Sequence, residues 1–145
     1  MRALRYLNQY RNLSYKVKDL EAEIRDLRSQ AESVRSSLGG DGTPRSPSPE
    51  NSRELLILRI ADKVREAELM RLEALEVRAD IRYSVELVSD PIYRKLLLNR
   101  YILLMKWEKI TDDLGYNSDE YVRGRLHSKA IEAFQEVLDG KDSID

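Results

Sequence analysis

Between residues 118 and 130 the chain sets out side chains whose chemistry suits a DNA duplex: Ser118, Glu120, Arg123, His127 and Lys129. An arginine fork matches the O6 and N7 acceptors of guanine, which makes Arg123 the first candidate for a bidentate base contact. Glu120 can accept from the cytosine amino group, and the Ser118 hydroxyl can meet phosphate or base. His127 and Lys129 lie farther along and are expected to touch the sugar–phosphate backbone, as are Arg100 and Lys109 upstream. The expected ligand is double-stranded DNA, read from the major groove.

Competing chemistries find little to work with. No P-loop, metal-ligand spacing or nucleophile motif occurs, so no enzyme activity, cofactor or metal is expected. The absence of cysteine excludes disulfides and thiolate metal sites, and the single histidine cannot pair with another for acid–base work. Asp112 and Asp113 are adjacent, so a helix would point them about 100° apart, as a solvated face and not toward one ligand.

The elements that must position these groups follow from apolar spacing. Trp107, Ile110 and Leu114 fall on one helical face, and Gly115 can close that helix in a left-handed conformation. Asn117 or Ser118 then caps a second helix, with Val122, Leu126 and Ala130 inward and Glu120, Arg123 and His127 outward. Helix, glycine turn and second helix with polar first turns is the layout of a helix-turn-helix. Asp90-Pro91 marks the start of a preceding helix carrying Leu96, Leu97 and Tyr101 inward. The break between that helix and Trp107 must lie in residues 101–106, with Lys106 in place of a capping Ser or Thr. Trp107 and Phe134 read as core side chains, Leu138 extends the same stripe, and residues 140–145 read as a polar tail.

Upstream, Tyr6, Tyr10, Leu13, Val17, Leu20, Ile24, Leu27, Ala31, Val34 and Leu38 recur in alternating steps of four and three, a heptad pattern of coiled-coil type. A helix of about 35 residues would extend roughly 50 Å. The glycines and prolines of residues 36–52 predict a flexible linker. A second stripe follows at Ile60, Val64, Ala67, Met70, Ala74, Val77, Ile81, Val85 and Val88. Two such helices would fold back on each other most simply as an antiparallel hairpin. A lone hairpin buries little surface, so a homodimer through these helices, forming a four-helix bundle, is an expected partner arrangement. The expected fold is therefore all-α: residues 1–89 as a long antiparallel coiled-coil hairpin, residues 90–139 as a helix-turn-helix domain, and residues 140–145 as a tail.

From Arg94 to Phe134 the chain resembles region 4 of sigma-70-family factors. The match runs in order through Leu96-Leu97, Arg100-Tyr101, Trp107-Glu108-Lys109-Ile110, Leu114-Gly115 and Val122-Arg123-Gly124-Arg125-Leu126-His127. With the long helical N-terminal half, the whole is similar to small phage and prophage regulators of Gram-positive bacteria, the sigma-like late-gene activators of the ArpU and RinA type. That resemblance implies a role beside RNA polymerase, reading a −35-like promoter element. Two features depart from the family pattern. The stretch between Gly115 and Val122 is one residue longer, and Asp119 and Glu120 place two acids at the entry to the second helix.

Lys and Arg number 25 against 26 Asp and Glu, for a formal net charge of −1. Non-specific attraction to phosphate is therefore limited, and DNA binding is expected to be weak alone and stronger with an oligomer or RNA polymerase. Two other classes compete with a regulator. One is a DNA-packaging protein of the small-terminase kind, the other a coiled-coil adaptor whose C-terminal helices only pack. The N-terminal residues hold no continuous apolar run, so neither a signal peptide nor a membrane partner is expected, and the expected location is the bacterial cytoplasm.

Overall fold

A computed structural model describes residues 2–38 and 49–144, with side chains for residues 2–35 and 51–141. The described residues form helices and no strand. In order these are α1 (Arg2–Leu7), α2 (Gln9–Leu38), α3 (Pro49–Glu86), α4 (Pro91–Tyr101), α5 (Trp107–Leu114), α6 (Asp119–Tyr121), a π-turn (Val122–Leu126) and α7 (His127–Ile144). The expectation of an all-helical chain with long N-terminal helices holds. No described helix is long and apolar enough to cross a membrane. Most of the glycine- and proline-rich linker expected at residues 36–52 lies outside the described residues, although α2 reaches Leu38 and α3 begins at Pro49. The last helix also runs on through Gly140, where a tail was expected.

The chain divides into two compact units, residues 1–13 with 74–145, and residues 14–73. Both α2 and α3 contribute to each. The expected boundary stood at residues 89 and 90.

In the unit of residues 14–73, Leu20 and Ile24 of α2 bury against Ala67 of α3, with Ile60, Val64 and Met70 packed around them. Val17 and Leu27 continue the buried row of α2. These are the heptad positions, and they bury because a 3.5-residue spacing keeps one seam facing its neighbour. Glu21 meets Arg71, and Glu23 meets Lys63 at 3.6 Å, along the edges of that seam. The Arg71 hydrogen bond holds the Glu21 carboxyl below the usual carboxylate range.

The other unit is built around the last helical run. Val122, Leu126, Ala130, Ile131, Phe134 and Leu138 bury together with Ala3 and Leu7 of α1, Ile81 and Val85 of α3, and Leu96 and Leu97 of α4. Polar ties fix α1 and α3 to this stripe. The Ala3 amide donates to Gln135 Oε1 at 3.0 Å. Ser84, fully buried, accepts from Lys141 Nζ at 2.7 Å and lies 3.4 Å from the Tyr6 hydroxyl. Asp90 caps α4 by accepting from the amides of Ile92 and Tyr93, and Pro91 occupies its first turn.

Phe134 is the largest side chain fully buried in this core, with the Tyr6 ring centroid 5.8 Å away. Replacing Phe134 with Ala is expected to destabilise this unit by about 3–5 kcal/mol, read by chemical denaturation. A loss below about 1 kcal/mol would contradict the packing described.

Candidate nucleic-acid interface

Three short connections hold the C-terminal helices in place. After α4, residues 102–106 turn the chain, and Leu104 takes the strain of a positive φ of 55°. Lys106 stands at the start of α5 without a side-chain cap, as its residue type requires. Arg100 fixes the connection from its other side: its guanidinium donates to the Met105 carbonyl at 3.1 Å and lies 4.5 Å from the centre of the Trp107 ring. Asp113 lies on an exposed face, as expected, and its carboxylate also takes a 2.7 Å hydrogen bond from the buried Asn99 side chain and an ion pair from Lys95 at 3.5 Å. The Asn99 bond, helped by Lys95, holds that carboxyl below its ordinary range. Asp113 therefore ties α5 to α4.

The second connection is the glycine turn. Gly115 sits at φ 81°, its amide bonding the Asp112 carbonyl at 3.1 Å, while the Tyr116 amide bonds Thr111 at 3.0 Å. This pair of bonds is a Schellman closure, which uses up carbonyls that the end of α5 would otherwise leave bare. Ser118 opens the next helix in an extended conformation, its Oγ accepting from the Tyr121 amide at 3.2 Å. The Tyr116 and Tyr121 rings lie 5.6 Å apart across the turn. Asp119 and Glu120 occupy the first helical turn, where negative charge complements the positive end of the helix dipole. That placement gives the two acids a local stabilising role.

The third feature was not expected. Val122–Leu126 form a π-turn between α6 and α7, so the Val122 carbonyl bonds the His127 amide five residues on. The Ser128 hydroxyl donates to the Gly124 carbonyl at 2.9 Å, filling part of the widened turn. Val122 and Leu126 remain buried while Arg123, Gly124 and Arg125 face outward. The wider turn changes the phase of the helix that follows, in which His127 is half-buried, Ser128 and Lys129 are exposed and Ala130 is buried.

The structure thus brings part of the expected set onto one exposed run. Ser118, Glu120, Arg123 and Lys129 are exposed along α6, the π-turn and the start of α7, and Lys109 is exposed on α5. Arg125 joins them, a cation the initial set missed although the Arg-Gly-Arg run itself was its signal. Ser118 is engaged as a helix cap, and Arg100 is half-buried and bound to the α4–α5 turn.

His127 departs most from expectation. Placed outward by a regular helical count, it lies half-buried, 2.6 Å from the Tyr101 hydroxyl through Nε2 and edge-on to Trp107 at 4.9 Å between centroids. Burial, and secondarily the nearby Arg100 charge, lower the pKa of the imidazole. Burial pushes the Tyr101 hydroxyl up to about 12. In the neutral ring with its proton on Nδ1, Nε2 accepts from that retained hydroxyl proton. Tyr101, Trp107 and His127 together hold the π-turn against α4 and α5.

Comparison with protein-family models, with curated proteins and with solved structures finds no match for this chain. The chemistry of the exposed run carries the functional reading.

The chain's single histidine gives a clean titration. Its folded pKa is lowered, so the unfolded chain binds more protons as pH falls through the unfolded value of about 6.5. This contribution to stability is full above about 6.5 and is lost as pH falls toward the folded value. Denaturation midpoints measured down through that window should fall in the native chain and fall less in His127→Asn. Equal pH dependence in the two chains would contradict a buried neutral imidazole.

Proposed function

We propose that this chain is a DNA-binding transcriptional regulator of phage or prophage type, working beside RNA polymerase or as an oligomer. In this reading residues 90–139 act as a sigma region 4-like helix-turn-helix, and the long N-terminal helices form a coiled-coil hairpin that supports assembly. One observation carries it. The helix that follows the Gly115 turn presents Glu120, Arg123, Arg125 and Lys129 to solvent while Val122, Leu126 and Ala130 anchor it from beneath. A helix held rigidly by its inner face, with polar and cationic side chains on its outer first turns, has what major-groove reading needs.

Arg123 reads guanine, and Glu120, at the helix entry, accepts from cytosine. Lys109, Arg125 and Lys129 serve the phosphates, and Ser118 contributes through the helix end it caps. His127 and Arg100 act indirectly, as positioning residues for the reading helix, and this revises the backbone contacts first expected of them. Asp119 and Glu120 temper the positive potential of the face, so attraction to phosphate alone is modest. Specific contacts and effective concentration in an assembly supply the remainder.

Selection of bound sequences from a random duplex library tests the reading. The native chain should enrich one motif containing guanine, and Arg123→Ala should lose about 1–3 kcal/mol of discrimination at that base pair with helix content unchanged. The salt dependence of binding should be shallow, reflecting few phosphate contacts. No enrichment by the native chain would favour the adaptor reading. Binding to a packaging site by ring-sized oligomers would favour a small-terminase role.

A further inference from the structure

The outward side of α3, within residues 14–73, carries a second apolar row. Leu55, Leu58, Leu69 and Leu72 are 66%, 63%, 61% and 59% exposed. With Asp62 and Arg65 between them, the six positions follow steps of three, four, three, four and three, the spacing of a heptad seam. At about 100° per residue this row is centred on the side of α3 opposite Ala67, the residue buried against α2. Exposed leucines scattered singly are ordinary on a protein surface. Four aligned in one seam are the mark of an interaction site.

We propose that this row is covered by α3 of a second copy of the chain, running antiparallel to the first. In an antiparallel pair each position of one kind in the seam faces one of the other kind. Centred midway along the row, that pairing sets Leu55 opposite Leu72 of the partner copy, Leu58 opposite its Leu69, and Asp62 opposite its Arg65. Two-fold symmetry repeats each pairing, so four leucine layers enclose two ion pairs. Flanking the seam, Arg59 faces Glu66 of the partner copy, again with opposite sign. Glu66 meets Lys63 of its own helix at 3.5 Å, so its carboxylate lies within a mixed-charge cluster.

The same charges argue against other arrangements. A parallel, in-register pair would stack Asp62 on Asp62 and Arg65 on Arg65, placing like charges inside the seam. The α2 helix of another copy offers no matching row, since Tyr15 is the one exposed large apolar side chain described on it. An enclosed Asp–Arg pair adds little affinity over a leucine layer, but it penalises every shifted register, which leaves one arrangement favoured. The inference gives a face to the oligomer invoked above. Its test reads mass and not DNA binding, so the two readings fail separately.

Sedimentation equilibrium of the full-length chain carries the test. The native chain should weigh as a dimer. Leu58→Lys with Leu69→Lys should weigh as a monomer with unchanged helix content, because both side chains point away from the buried seam. Asp62→Arg and Arg65→Asp should each weaken the dimer, since each sets like charges opposite one another. Mixing those two variant chains in equal amounts should restore it. One chain then carries two arginines in the seam and the other two aspartates, so both facing positions are opposite in sign. A native chain that stays monomeric at every concentration would overturn the proposal and leave the face to a different protein. A dimer that survives the double lysine variant, or a mixture that stays monomeric, would overturn it as well.

Discussion

Burial of one face of the last helical run, from Val122 through Leu126, Ala130 and Phe134 to Leu138, is the constraint on which the C-terminal part of the molecule depends. Four other elements exist in their present places because they cover that face. Ala3 and Leu7 of α1, Ile81 and Val85 of α3, Leu96 and Leu97 of α4, and Ile110 of α5 all bury with it. The short helices among them, α1, α4 and α5, would not be stable alone in water, where a helix of fewer than about 12 residues gains too little from its own hydrogen bonds. The stripe replaces that deficit with shared apolar burial. The polar ties of this unit are few and well satisfied, with no described buried side-chain atom left without a partner.

The exposed run depends on the same stripe at one remove. A helix held by its inner side keeps its outer side chains at a fixed aim, which is what the proposed reading of DNA requires. Here the inner side is held by Val122 and Leu126, and its rotation is set by the π-turn between them. Tyr101, His127 and Trp107 close around that turn, so the direction of Arg123 and Arg125 is tied to a partly buried hydrogen bond 2.6 Å long. Gly124 at the centre of the turn has open space where a Cβ would stand. Its place in the turn is therefore not forced by crowding from the rest of the fold.

Much of this is legible in the sequence because the signals are local. Heptad spacing marks the buried rows of α2 and α3, Asp90-Pro91 marks the start of α4, and Gly115 with Ser118 marks the turn. Pattern alone locates the break before Trp107, and Leu104 accounts for it with a strained backbone that no turn residue announces. What escapes the sequence is nonlocal. The apolar stripe counted from Tyr6 leaves out the helix that places Ala3 and Leu7 in the C-terminal core. The π-turn has no composition of its own, and a regular count of about 100° per residue run forward from Val122 carries His127 outward, whereas the count back from the buried Ile131 and Phe134 places it inward. Asp113 is exposed as its position suggests, but its tie to Asn99 is not legible because that partner belongs to another helix.

The central claim is that the helix entered through the Gly115 turn is the surface that meets DNA. Amide chemical shifts followed while a mixed-sequence duplex is added at low salt test it most directly, since non-specific binding suffices for the readout. The account predicts shifts concentrated at residues 117–129 and around Lys109, with residues 14–73 little affected. Shifts confined to residues 14–73, or none at saturating duplex, would contradict it.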